Sequence, residues 1–253
     1  MRITVASLFV AGCLVAAAAW FVRAPKEAQA DAVPENCRET IRKGLDYLAK
    51  KQFKDGHWEG DGGAHPVAMT GLAGIAFLME RDPPDGFERR SGRRGAVEGK
   101  FDAKRSATIR KAADWLIAQS QPTRDGLIFS GHDSESSRYM QGHGLATIFL
   151  AGVCGYETNA ERRKKLTDVL ARAVKYIASA QSTQGGWHDT SKAEGHDFAS
   201  IPATVIQVQA LQAAENVGVS AGSALNDGLA FLKASLVKKK NSPSETAAAL
   251  ACL

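Results

Sequence analysis

The chain has 253 residues and a net charge of +5 at pH 7, and 44% of its residues are hydrophobic. This apolar content is sufficient for a folded core, so disorder is not expected. Much of the positive excess lies in two short runs, at residues 88–95 and 238–240, and no basic stripe is interleaved with aromatic residues. We therefore expect no nucleic-acid partner.

The first thirty residues are typical of a targeting segment. Residues 3–22 form an apolar run of twenty residues behind Arg2, and Ala28 and Ala30 place small residues where a signal peptidase cleaves. A run of this length is also sufficient to cross a bilayer. The sequence predicts a signal peptide or a membrane anchor over residues 1–30. In both cases the domain over residues 31–253 is exported, to the periplasm or the extracellular space.

Three cysteines lie outside this segment: Cys37, Cys154 and Cys252. Export permits one disulfide among them and leaves one thiol over. Cys154 and Cys252 lie in apolar helical stretches, where cysteine commonly serves as a small buried hydrophobic residue. Burial is therefore the favoured interpretation for these two, and the pairing stays open.

Four similar stretches divide the rest of the chain into helical repeats. Each stretch places an aromatic residue at an equivalent position: Tyr47, Trp115, Tyr176 and Phe231. The scarcity of alternating β-branched residues and the abundance of Ala and Leu favour helices. We expect repeats near residues 36–80, 106–155, 159–218 and 223–253, with a long loop over residues 80–105.

Each repeat is expected to contain two different helices. The first is amphipathic; in the third repeat its apolar stripe is Leu166, Val169, Leu170, Ala173, Val174 and Ile177. The second is apolar on almost all sides, which is typical of a buried helix. These second helices are expected at residues 66–79, 143–154, 202–214 and 245–253. We expect them to form an inner layer, wrapped by the amphipathic helices, with their N-termini on one face.

Several residues mark the ends of the apolar helices. Ser242 and Glu245 have the spacing of a capping box at the start of the last one. Gly155 and Gly218 are predicted to end the second and the third, because glycine readily adopts the left-handed conformation that follows many helices.

A longer motif occurs twice, in residues 47–58 and again in residues 176–187. Both copies contain an aromatic and an aliphatic residue followed by Gln, Gly and Trp at the same spacing: Gln52, Gly56, Trp58, Gln181, Gly185 and Trp187. A glutamine at a helix end can bond backbone groups there, and a tryptophan ring buries a large area. We therefore interpret these six residues as structural. In the second repeat Ile128 replaces the tryptophan.

This motif resembles the Gln–Trp repeat of squalene–hopene cyclases and related triterpene cyclases. Residues 138–152 and 185–219 are also similar to exported bacterial proteins known as prenyltransferase and squalene oxidase repeat proteins. The resemblance extends from about Cys37 to residue 253. It implies an all-α fold, an α/α toroid of helical hairpins, here incomplete with about four repeats.

The catalytic motifs of proteins with this fold are absent from the sequence. It has no D-x-D-D run, no cysteine with an aspartate two places before it, and no Cys-Gly-Glu-Gln run. No cofactor is therefore expected. Because a fold alone does not carry function, any chemistry has to come from other residues.

The six histidines are the remaining candidates for chemistry, and they lie in the predicted loops or at the start of an inner helix. They are interpreted as loop residues that cap helices, as a general acid/base site, or as a metal site. The acid/base candidates are His143, Asp189, His188 and Asp133. The metal interpretation lacks a tight ligand motif, so no metal residue is assigned.

Two functions remain. In the first, the protein is an exported binding or scaffold module whose apolar concave face takes a lipid-like or peptide ligand, and a partner or further repeats complete its core. In the second, it is an isoprenoid cyclase or lyase with a non-standard acid. A cyclase needs an aromatic-lined cavity to stabilise cations. The predicted inner helices hold only Phe77 and Phe149, which favours the binding module.

Overall fold

The computed structural model describes residues 35–79, 103–120, 125–237 and 241–253. The predicted leader and nearly all of the predicted loop over residues 80–105 lie outside the described residues. Contacts divide the chain into two compact units, residues 1–42 and 43–253. The described part of the first is only the beginning of one helix, residues 35–42, and all packing reported below belongs to the second.

The described chain is all-helical, as expected, with eight α-helices and no strand. The helices are α1 (Glu35–Lys51), α2 (Pro66–Met79), α3 (Ala103–Gln119), α4 (Tyr139–Tyr156), α5 (Ala160–Ala180), α6 (Ile201–Asn216), α7 (Ser223–Val237) and α8 (Pro243–Leu250). Short 3₁₀ turns occur in the loops at Asp61–Gly63, Asp133–Glu135 and Lys192–Glu194.

Neighbouring helices pack in the order of the chain. We call the apolar helices α2, α4, α6 and α8 the inner helices, and each packs on the next one. The amphipathic helices α3, α5 and α7 are called the outer helices, together with α1. Each of α3, α5 and α7 packs on the inner helix before it and the inner helix after it.

The outer helix α5 shows why an amphipathic sequence takes this position. All six residues of its predicted apolar stripe are buried. On the solvent side, Lys164 and Asp168 form an exposed ion pair at 2.7 Å. The side chain of Asn159 caps the helix by accepting the Arg162 N–H. The prediction of this helix from periodicity is confirmed.

The inner helices match the expected positions with small differences at their ends. The α2 helix has the predicted bounds, and the capping box of Ser242 and Glu245 at α8 is confirmed. Gly218 follows α6 with a φ of +88°, as predicted. The prediction for Gly155 is wrong, because α4 continues to Tyr156 and the backbone N–H of Glu157 bonds the last carbonyls.

The three cysteines outside the predicted leader are not joined by a disulfide. Cys154 and Cys252 are buried, as favoured from the sequence, and Cys37 is exposed. Burial raises the pKa of the Cys252 thiol. None of the helices in the described ranges has both the length and the apolar character needed to cross a membrane.

Candidate functional site

The two motif glutamines make equivalent contacts. Nε2 of Gln52 donates to the carbonyls of Gly56 and Thr108, at 2.9 and 3.0 Å. Nε2 of Gln181 donates to the carbonyls of Gly185 and Ala224, at 2.7 and 2.9 Å. Each side chain thus ties its own loop to the outer helix of the next repeat. These acceptors are carbonyls of the loop and the neighbouring helix, not of the helix end that the sequence suggested.

The two motif tryptophans also make equivalent contacts. The indole N–H of Trp58 donates to the Leu48 carbonyl at 2.8 Å, and that of Trp187 donates to the Ile177 carbonyl at 2.7 Å. Each tryptophan also donates its backbone N–H to a threonine Oγ1 at 3.0 Å, and the two acceptors are Thr70 and Thr204. The tryptophan therefore links the outer and the inner helix of one repeat.

The motif glycines permit a close approach between repeats. Gly56 has a φ of +111°, and a Cβ there would lie 2.4 Å from the Lys111 carbonyl oxygen. Gly126 of the second repeat has a φ of +96°, and its Cβ would lie 2.5 Å from the Arg172 backbone. Only glycine fits both the backbone conformation and the space. Together with the glutamine and tryptophan contacts, this geometry supports a structural role for the motif.

His143, the leading acid/base candidate, is completely buried in α4. Its Nδ1 accepts the Ile128 backbone N–H at 3.0 Å, so the proton lies on Nε2, which faces the Ala173 carbonyl at 3.2 Å. Burial lowers the pKa of His143 to about 4. Both ring nitrogens are thus occupied by backbone groups and the ring is neutral. This geometry favours a structural role over the acid/base role expected from the sequence.

Asp189 lies in the loop after α5, next to the start of α4. Its Oδ1 accepts the side-chain N–H of Gln141 at 2.8 Å, and its backbone carbonyl accepts the Met140 N–H at 3.1 Å. The Arg138 guanidinium is 3.8 Å from Oδ2. Asp189 therefore bonds groups at the start of α4, a helix of the preceding repeat. None of these contacts involves His143.

The other two candidates lie in separate loops. The His188 ring contacts Phe198, with centroids 4.2 Å apart, and is tilted 5.8 Å from the His196 ring. Its Nδ1 is buried without a hydrogen-bond partner among the described residues. Asp133 is exposed and begins a 3₁₀ turn. The contacts of these residues do not assemble the four candidates into one catalytic group.

Glu135 is a buried carboxylate near these loops, with 4% of its surface exposed. One oxygen accepts the Val67 N–H at 2.7 Å, at the start of α2. The other accepts the N–H and the hydroxyl of Ser130, at 3.3 and 2.6 Å. Both oxygens of this carboxylate are thus occupied as hydrogen-bond acceptors, one of them at the N-terminus of α2. Glu135 therefore fits the role of a cap better than that of a proton donor.

His57 is surrounded by two carboxylates and two aromatic rings. Its Nδ1 is 2.6 Å from Asp55 Oδ1, and its Nε2 is 3.0 Å from Glu59 Oε1. The ring is stacked between Phe53 and Trp115, with centroids 4.5 and 4.9 Å away. Burial acts to raise the pKa of Asp55, but the hydrogen bond and charge of His57 hold it below the usual value. This cluster joins the first loop to the second repeat.

The described residues provide no metal site at these loops. No three His, Cys, Asp or Glu side chains within the described ranges are grouped so that they could hold a metal ion. A groove of about 460 Å³ lies between the outer helices α3 and α5. Its lining is mainly charged, with Asp114, Lys164 and Arg172 among the residues. It does not resemble a site for an apolar substrate.

Apolar side chains of α2 and α4 remain partly uncovered, and the spacing of those on each helix places them on one side of that helix. We call this surface the inner face and define it as Leu72, Ile75, Met79, Leu145 and Ile148. Leu72 is 48% exposed and Met79 is 80% exposed, while the other three are half-buried. Sequence periodicity could not have found it, because α2 is apolar on all sides.

No model of a protein family matches the chain, and no curated protein sequence matches it.

Proposed function

We propose that the chain is a binding and scaffold protein of the squalene cyclase-like repeat type, with its hairpins arranged as an incomplete α/α toroid. The inner face would receive an apolar, lipid-like or peptide ligand. The observation that carries this proposal is the exposure of Leu72 and Met79 on a helix whose other residues are buried or half-buried. Burying a fully exposed side chain of this kind contributes about 1.5–3 kcal/mol, so covering this face favours binding.

The repeat contacts support a scaffold. The motif residues Gln52, Trp58, Gln181 and Trp187 all bond backbone groups of their own or neighbouring helices. A rigid frame of this kind holds the inner helices side by side without using any catalytic group.

The alternative, an isoprenoid cyclase or lyase, receives no comparable support. Such an enzyme needs a proton donor that faces the substrate. His143 is neutral and completely buried, and the carboxylate of Glu135 is occupied as an acceptor. We therefore propose a binding module that is exported through its N-terminal segment.

The test is a titration of the full chain with a fluorescent long-chain fatty acid, with native mass spectrometry to detect a co-purified lipid. We expect saturable binding that weakens about tenfold in Ile148→Gln, which corresponds to about 1.4 kcal/mol. The matched control is Val237→Gln, since Val237 is 82% exposed on α7, outside the inner face. Binding that is absent, or equally strong in Ile148→Gln, would contradict the proposal.

A further inference from the structure

The inner helix α4 leaves one stripe of its surface uncovered. All residues over 139–151 are buried except Gln141, Leu145 and Ile148, which are half-buried. These three follow each other at intervals of four and three residues, so they lie on one side of the helix. Gly152, four residues further on, is also half-buried. The stripe therefore runs along most of α4, and its large apolar members belong to the inner face.

An arginine lies at the start of this stripe. Arg138 is the residue directly before α4, and 64% of its side chain is exposed. Its Nε is 3.8 Å from Oδ2 of Asp189. The other oxygen of that carboxylate accepts the side-chain N–H of Gln141 at 2.8 Å. Arg138 and Gln141 thus meet at one carboxylate, which places the guanidinium beside the first residue of the stripe.

The Arg138 guanidinium has hydrogen-bonding capacity to spare. Within the described ranges its side chain makes no hydrogen bond, since 3.8 Å is too long for one. Asp189 approaches it from the Nε side and is itself occupied by Gln141. Arginine carries five N–H donors and a permanent positive charge, and it binds a carboxylate through two parallel hydrogen bonds. The two terminal nitrogens of Arg138 are therefore available to an acid from outside the chain.

The order of charge and apolar surface along α4 is that of a fatty acid. Ile148 follows Arg138 by ten residues, which corresponds to about 15 Å along a helix. Leu145 lies between them on the same side of the helix. A straight apolar chain with an acid at one end would cover Leu145 and Ile148 while its head group reaches Arg138. A ligand without an anionic group would leave the guanidinium unused.

The other inner helices lack this combination. The residues directly before α2 and α6 are His65 and Ser200. Of the three residues in this position, only Arg138 has a side chain that always carries a positive charge. The polar end of the ligand is therefore expected at α4, and its apolar part on the members of the inner face that α4 contributes.

We propose that the inner face binds a fatty acid along α4, with the carboxylate at Arg138 and the acyl chain on Leu145 and Ile148. The inference rests on the proposed function, because it names the ligand class for the same surface. Asp189 serves as a positioning residue, since its contacts hold Arg138 and Gln141 at one end of the stripe.

The test compares two ligands that differ in their head group, decanoate and decan-1-ol. Both are titrated into the full chain at neutral pH, by calorimetry, below the concentrations at which they aggregate. We expect decanoate to bind about tenfold more tightly than the alcohol, because a hydrogen bond to a charged group is stronger than one to a neutral group. In Arg138→Gln the binding of decanoate should weaken about tenfold and that of the alcohol should not change. Added salt should weaken the binding of decanoate alone.

Two further variants separate the charge from a structural effect. Arg138→Lys keeps the positive charge, so it should retain most of the preference for the acid. Arg163→Gln is the matched control, because Arg163 is an exposed arginine on the outer helix α5 and lies outside the inner face. It should leave the binding of both ligands unchanged.

Equal binding of decanoate and decan-1-ol to the wild-type chain would overturn the proposal. An equal loss of both ligands in Arg138→Gln would overturn it as well, and so would a loss of decanoate in Arg163→Gln as large as in Arg138→Gln. Binding of decan-1-ol that depends on Ile148 would survive each of these results, and the binding module would then stand without a preference for acids. Absence of binding by either ligand would contradict the proposed function itself.

Discussion

Ile128 donates its backbone N–H to Nδ1 of His143, at 3.0 Å, where the two motif tryptophans donate theirs to threonines. In the second repeat the loop residue is thus smaller than tryptophan, and the inner-helix residue that it faces is larger than threonine. His143 also supplies a side-chain N–H to the Ala173 carbonyl in the outer helix of the next repeat, whereas each motif indole N–H bonds the outer helix of its own repeat. The second repeat thus has the backbone contact of the motif without a tryptophan.

Exchanging this pair for the residues of the other repeats tests the interpretation. The single variants Ile128→Trp and His143→Thr should each lower the free energy of unfolding by about 2–4 kcal/mol, through overpacking and through a cavity. The double variant should recover most of that loss, since Trp and Thr fill the same space in the first and third repeats. Urea unfolding of the four proteins measures this coupling. If the losses of the two single variants simply add in the double variant, Ile128 and His143 are not coupled.

Acid should destabilise the fold through His143. The unfolded chain binds a proton at this ring below about pH 6.5, whereas burial lowers the folded pKa to about 4. The unfolded state therefore holds more protons between these values, and the free energy of unfolding falls by about 3 kcal/mol as the pH decreases across them. Urea midpoints at several pH values check this. The double variant Ile128→Trp with His143→Thr lacks the ring, so its decrease should be smaller; an equal decrease would assign the effect to other groups.

Gly56→Ala should destabilise the fold more than an alanine at another glycine with positive φ. At Gly56 the new Cβ would lie 2.4 Å from the Lys111 carbonyl oxygen, so the two repeats must separate. Gly195 is the control, because its φ is +92° and a Cβ there meets nothing within 4 Å. Gly195→Ala should cost about 1–2 kcal/mol for the left-handed backbone alone. Thermal unfolding measures the stability of both variants. Equal losses of stability would contradict the explanation by close approach of Gly56 to Lys111.

Gln181→Glu should be more damaging than Gln181→Met at neutral pH. The amide donates to the carbonyls of Gly185 and Ala224, and a carboxylate would face both oxygens without a proton. We expect a loss of about 1–3 kcal/mol for Met and a larger one for Glu. The difference should shrink in acid, where a protonated Glu can donate one hydrogen bond. Urea unfolding at neutral and acidic pH measures it; a difference independent of pH would contradict this assignment.

Helical periodicity was sufficient to predict most elements of the fold. The apolar stripe of α5 is buried as a whole, and α2 has the expected bounds, because amphipathic spacing and a continuous apolar run are local signals. The end of α4 was predicted incorrectly at Gly155, since glycine inside a tightly packed helix has the same local appearance as glycine after one. The role of His143 was not evident either, because its partners Ile128 and Ala173 are 15 and 30 residues away.

By itself the sequence determined that the described chain is helical, that its helices alternate between amphipathic and apolar, and that Gln, Gly and Trp recur at fixed spacing. These features depend on interactions within a few turns of helix. Only the tertiary structure decided which apolar side chains are covered, since every side of α2 has the same composition. It buried Phe77 and left Leu72 and Met79 exposed, because packing against α4 covers one side of the helix and not the other.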